Sequence, residues 1–385
     1  MSIKLENLNI MKIDVTKAYN ELPALPPKQD IETKKILKVC IEARASLAEL
    51  RKAAEMLPNQ SVLINSLPLL EAQASSEIEN IVTTTDKLFQ YANSNSETNI
   101  DPATKEALRY RTALREGFES IKSRPLNTVL AENLCSTLHG VEMTVRKVPG
   151  TTLSNQATGE IIYTPPEGEA LLRKKLHNWE VFLHDQNDID PLIKMAIGHY
   201  QFEAIHPFTD GNGRTGRILN ILYLIERELL TIPVLYLSRY IIKHKKEYYQ
   251  YLLNVTLKDD WESWIIYMLN AVANTSQWTC NKIKNIVSLM EETVEYVKNK
   301  QPKIYSRELV ELLFVQPYCR ISNVVDAGIV KRQTAAEYLQ KLASESILKE
   351  IEIGREKIYI NTRFMQILFN ETDSHAKFLE VGKNQ

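Results

Sequence analysis

Apolar residues recur every three to four positions along most of the chain, the spacing of helices that bury one face. Residues 31–56, rich in Ala, Leu, Glu and Lys, predict an amphipathic helix after a proline-containing linker at 23–28. Helical patterns recur at 67–92, 104–123, 128–139, 169–183, 192–205, 213–230, 240–257 and 261–300. Strand-like runs are confined to two places. Residues 150–163 hold two short β-prone runs around Ala157-Thr-Gly-Glu160, closed by Pro165 and Pro166, and read as a hairpin. Towards the C-terminus, helical patterns at 305–314, 321–327 and 330–344 precede alternating runs at 347–353 and 357–361, the order of a winged helix-turn-helix. The pattern predicts a mainly α fold with a small hairpin and a C-terminal winged domain.

Composition adds bounds rather than identity. The 385 residues suffice for two or three domains, and 44% apolar with 25% charged is ordinary globular usage. The expected division is an N-terminal helical region at 1–95, a core at 96–290, a winged-helix-like domain at 291–375 and a tail at 376–385. A polar loop at 93–99 separates the first two. A net charge of −1 gives no global pull towards nucleic acid or anionic lipid. No apolar run reaches the length of a membrane span, and the N-terminus lacks a signal-peptide core. Cys40, Cys135, Cys280 and Cys319 are too scattered for a metal or disulfide pattern, so reduced thiols in a cytoplasmic protein are expected.

The chemistry concentrates in His206 to Arg217, read as His-Pro-Phe-Thr-Asp-Gly-Asn-Gly-Arg-Thr-Gly-Arg. This stretch opens a strongly apolar run, so Gly211, Asn212 and Gly213 sit at a helix start, where unpaired N–H groups and the dipole favour phosphate. Gly211 and Gly213 let backbone amides curl around an anion. Arg214 and Arg217, three apart, add charge-assisted contacts to phosphate oxygens. Asp210 is a hard oxygen ligand suited to Mg²⁺, and His206 is a base that is neutral near pH 7. The same glycines match a dinucleotide fingerprint. That reading fails because 192–205 is helical, where the fingerprint needs a buried strand.

This stretch resembles the core motif of the Fic family, and every fixed position of that motif is filled. The resemblance implies transfer of AMP from ATP to a protein hydroxyl. His206 would be the base and Asp210 the Mg²⁺ ligand. Gly211, Asn212 and Gly213 would cradle the α- and β-phosphates, Arg214 would hold the β-phosphate and Arg217 the γ-phosphate. Phe208 would anchor the loop. The Doc-type relatives that phosphorylate their targets carry Lys at the Gly213 position, so Gly213 favours adenylyl transfer.

Upstream, Ser75-Ser-Glu-Ile-Glu79-Asn80 resembles the family's inhibitory pattern. Ser75 and Glu79 share one helix face, and the resemblance implies that Glu79 pairs with Arg217 where the γ-phosphate must lie. Lying N-terminal to the core, the segment would make this a class II member. The 150–163 hairpin would be the flap on which a target protein docks by strand addition. Self-modification and a homodimer are expected on the same basis. Alternatives are transfer of another group such as UMP, or a DNA-binding regulator carrying a Fic domain. Residues 303–363 hold 10 Lys and Arg against 8 Asp and Glu, which is thin for phosphate neutralisation and favours docking over DNA binding. His199 reads as a hydrogen-bonded residue of the core or behind the site, and Tyr236, Tyr240, Tyr248, Tyr249 and Tyr251 read mostly as core or surface helix residues, with stacking on adenine as the alternative.

Overall fold

Two helices that are buried around nearly their whole circumference form the centre of the molecule. The structure is a computed structural model describing residues 13–57, 59–92, 100–154, 158–353 and 356–369. The N-terminal elements are α1 (Lys34–Glu55), α2 (Ser61–Ile78), α3 (Thr85–Tyr91), α4 (Pro102–Ile121) and α5 (Thr128–His139). A hairpin follows, β1 (Leu153–Ser154) and β2 (Ile161–Tyr163), then α6 (Glu169–His184). The central pair is α7 (Pro191–Ile205) and α8 (Asn212–Glu226), followed by α9 (Leu237–Lys243), α10 (Lys245–Lys258) and α11 (Trp261–Lys300). The C-terminal part comprises α12 (Arg307–Val315), β3 (Tyr318–Cys319), α13 (Ile321–Asp326), α14 (Arg332–Ser344), β4 (Lys349–Ile353), β5 (Glu356–Ile360) and α15 (Thr362–Phe369).

The fold is mainly α, with two small antiparallel sheets. Helices α2, α4, α5, α6 and α11 surround the central pair, and α1 lies along α11. Trp179 and Trp264 are fully buried in this core, each donating its indole N–H to a carbonyl of α7, Gly198 at 2.9 Å and Ala196 at 2.7 Å. No helix among the described residues is long and apolar enough to cross a membrane. The four cysteines are free and buried.

Several expected elements change in detail. The helix expected over 67–92 is two, α2 and α3. Asn80 takes a left-handed conformation at φ 63° just past the end of α2, and Thr84 caps α3 through the N–H of Lys87. Asparagine tolerates that conformation because its short side chain bonds locally. The helix expected over 240–257 is likewise split into α9 and α10 at His244. In the hairpin, Leu153 pairs with Tyr163 and Ser154 with Ile161, while residues 155–157 lie outside the described residues. The C-terminal part adds strand β3 to the expected pair, in the order β3-β5-β4, and a further helix, α15. The expected junction at 290/291 falls inside the continuous helix α11. The polar loop at 93–99 and the tail at 376–385 lie outside the described residues.

Candidate active site

Pro207 cannot continue α7, and the chain turns sharply there. His206 closes the helix in the left-handed region, φ 49° and ψ 62°, with its N–H donating to the Phe202 carbonyl at 3.0 Å. A non-glycine residue there costs about 1–2 kcal/mol, so the surroundings must hold it. Asn212 supplies one clamp: its side chain accepts from the Phe208 N–H and donates to the Phe208 carbonyl, both at 2.8 Å. Phe208 is fully buried, with its ring 6.2 Å from that of Phe202. The Asn212 side-chain amide is therefore engaged by the loop. What Asn212 offers a ligand is its backbone N–H in the first turn of α8.

Gly211 opens α8 at φ 80°, and a Cβ there would lie 2.6 Å from His139 Nε2, so both conformation and space require glycine. A Cβ at Gly213 would lie 2.4 Å from Glu79 Oε1. The carboxylate of Glu79 thus rests against the start of α8, where an anion is most favoured.

From that helix Arg217 reaches into α2. Its Nε donates to Ser75 Oγ at 2.8 Å, and its Nη2 donates to the Ser75 carbonyl and to Glu79 Oε1, each at 2.9 Å. Arg217 is 1% exposed. Burial opposes its charge, but Glu79 foremost, with Tyr248 and Glu203, raises its pKa above the ordinary value and keeps it charged. Arg214 is 2% exposed and bonds Glu106 of α4, with Asp210 Oδ1 3.6 Å away. The Asp210 side chain is 73% exposed and accepts the Gly211 N–H at 2.6 Å.

All ten sequence-predicted residues therefore gather around one helix start. Others join them that the sequence did not single out. Arg146, buried, donates through Nε to the His206 carbonyl at 2.8 Å. Glu71 lies four and eight residues before Ser75 and Glu79 on α2. It accepts from the Ser238 N–H at 2.9 Å, the Ser238 hydroxyl at 2.5 Å and the Tyr110 hydroxyl at 3.1 Å. Burial raises the Glu71 carboxyl above its usual range against these bonds. Burial also pushes the Glu203 carboxyl up to about 7, against the pull of Arg217. His199 bonds the Tyr248 hydroxyl at 2.8 Å and stacks on Trp264, a core role as expected. At His206, burial first and then the nearby Arg146 guanidinium push the imidazole down to about 4, so it is neutral at pH 7.

Three family models match the chain in succession: Fic/DOC family N-terminal over residues 37–119, Fic/DOC family over 123–224, and protein adenylyltransferase SoFic-like, C-terminal domain, over 289–364. The second carries the whole His206–Arg217 turn. The chain belongs to the Fic/DOC family. It is similar to a probable protein adenylyltransferase of Aquifex aeolicus, 42% identical over 77 residues, which are 20% of this chain and 23% of that protein. It is also similar to protein adenylyltransferase Fic of Nematostella vectensis, 32% identical over 92 residues, or 23% and 20% of the two chains. The matches thus span under a quarter of these relatives' lengths.

The Fic fold is matched more widely than the sequence. A Fic family protein from Desulfovibrio desulfuricans aligns with a TM-score of 0.55 at 17% identity, covering 87% of this chain and 98% of that one. Residues 134–508 of Fic-1 from Caenorhabditis elegans align at 0.50 and 20% identity, covering 66% and 74%.

Proposed function

We propose that this Fic protein is an autoinhibited adenylyltransferase that moves AMP from Mg·ATP to a Tyr, Ser or Thr hydroxyl of a protein, releasing pyrophosphate. The observation that carries this reading is the Glu79 carboxylate on Arg217, lying against Gly213 at the helix start where a phosphate would be held. Neutral His206 accepts the proton of the incoming hydroxyl, whose oxygen bonds the α-phosphorus while the bond to the α–β bridging oxygen breaks. The first amides of α8, with Arg214 and Arg217, meet the charge that develops on the phosphates.

The donor set suits a magnesium ion shared with a nucleotide. Asp210 presents an exposed carboxylate, and no cluster of three metal-ligating side chains exists among the described residues to hold an ion without phosphate. Asp210 would hold the ion, which would neutralise phosphate charge when bound.

Glu79 leaves ATP room to bind but denies Arg217 to the γ-phosphate, so the α-phosphate is held out of line. The edge of the β1–β2 flap is the surface on which the target backbone would dock, and a second copy of the chain is one candidate acceptor. The test is incorporation of label from α-labelled ATP, with UTP in parallel, by the wild type, Glu79→Gly and Glu79→Gly/His206→Ala. Labelling that rises in the single variant and vanishes in the double supports both the switch and the base. Absence of label in all three while ATP still binds would overturn adenylyl transfer.

A further inference from the structure

We infer that Arg146 is a positioning residue that makes His206 and the flap one rigid unit, so a single guanidinium aligns the base with the hydroxyl docked beside it. The inference rests on the proposed adenylyl transfer. It draws on contacts that the motif does not contain.

Arg146 lies in the irregular segment between α5 and β1, yet it is only 3% exposed. Its backbone N–H donates to the Pro207 carbonyl at 2.8 Å, and its Nε donates to the His206 carbonyl at 2.8 Å. Its Nη2 donates to the Ile205 carbonyl at 3.4 Å and to that of Pro166. Three of these four acceptors are consecutive, Ile205 to Pro207, and flank the strained left-handed histidine. The fourth lies three residues beyond β2, at the base of the flap.

A second tie runs parallel to the first. The hydroxyl of Tyr163, the last residue of β2, donates to the Ala204 carbonyl at 2.9 Å. The end of α7 and the base of the flap are thus joined twice. Carbonyls at a helix C-terminus lack intrahelical donors and carry the negative end of the dipole, so a buried cation belongs there. The planar fork of arginine spans carbonyls of two separate segments, which a lysine ammonium does less well.

Electrostatics adds a second role. The charged and titratable groups facing His206 are Arg146, Glu79 and Asp210, with the Glu203 carbonyl also near the ring. Among them only Arg146 acts with burial to disfavour the imidazolium, while the acids favour it. A simple helix cap would stabilise the fold without setting the state of the base.

The test uses the full chain carrying Glu79→Gly, with Arg146→Lys and Arg146→Gln added separately. Kinetics are read as kcat, KM for ATP and KM for the acceptor across pH. Misalignment by about 1 Å costs on the order of 10²-fold, so kcat should fall by about that much in both variants with KM for ATP nearly unchanged. The acid limb should move up towards the ordinary histidine value of 6.5 in the Gln variant and stay in the Lys variant.

Two readouts need no transfer at all. Titration of the His206 imidazole by NMR should show the same upward shift in Arg146→Gln. Hydrogen exchange should speed up together at the amides of 161–164 and 204–206. If kcat, the His206 titration and those amides are all unchanged, or if only melting temperature falls, Arg146 is a structural cap and the inference fails. If Glu79→Gly never incorporates label while the titration and exchange shift as stated, the adenylyl-transfer reading fails and the positioning role stands.

Discussion

At the α7–α8 junction, Arg214 and Arg217 are 2% and 1% exposed, and each is met by an acid from a different helix, Glu106 of α4 and Glu79. In the C-terminal domain two ion pairs are more open to water and local. Lys357 meets Glu350 across the β4–β5 pair at 2.6 Å, and Arg307 meets Glu311 one turn along α12 at 2.9 Å. Pairs of the second kind are worth about 0–1 kcal/mol each and are screened by salt. Desolvating an ion costs several kcal/mol, so a buried guanidinium must be matched by acid or by an anion that takes the acid's place. Under the proposed function, a nucleotide phosphate would take the place of the Glu79 carboxylate at Arg217. In the C-terminal domain Arg307, Arg320 and Lys357 pair with acids of the same domain.

The largest expected effect that sharpens this contrast is chemical. In the Glu79→Gly background, His206→Ala should lower the labelling rate by about 10²–10⁴-fold, measured with α-labelled ATP, whereas Lys357→Ala should leave that rate unchanged. Next, Phe208→Ala opens a cavity beneath the loop and should destabilise the fold by about 3–5 kcal/mol in denaturant titration.

A pH effect follows from Glu203, whose folded carboxyl titrates near 7 against an ordinary 4.5. A raised acid contributes stability fully below its unfolded pKa and loses it as pH rises through the folded one. The wild type should therefore lose on the order of 1–3 kcal/mol between pH 5 and 8 relative to Glu203→Gln. Equal slopes would mean that Glu203 is already ionised in the fold. The smallest effect is at the surface. Lys357→Ala should cost less than about 1 kcal/mol, and the intact chain should shift duplex DNA only weakly at low salt. Tight, steeply salt-dependent binding would break the comparison and return the C-terminal domain to the regulator reading.

Much of the junction was legible because its signals are local. Pro207 ends α7, the glycines open α8, and Ser75 and Glu79 share a face by simple periodicity. The break between α2 and α3 was also written locally, in Asn80 as a left-handed terminator and Thr84 as a cap, but the apolar period running past them masked it. What was not legible is long in range. Arg146 acts on carbonyls about 60 positions away, and carbonyls carry no side-chain signature. Glu106 is one acid among many on an amphipathic helix until packing brings it to Arg214. Asn212 reads as a phosphate contact from its motif position, and its clamp on the Phe208 backbone becomes visible only in the fold.

The helix α11 carries a different lesson. Its 40 residues, about 60 Å at 1.5 Å per residue, pack against α1, α7, α9 and α10 and then against α12 and α15. Met290 and Val294, on either side of the junction expected from sequence, are both buried. A protease would find no linker there, and a cut at that point would leave two stumps with bare apolar faces. Chimaeras that exchange the C-terminal module must therefore carry the helix whole, because the two halves of this protein share one spine.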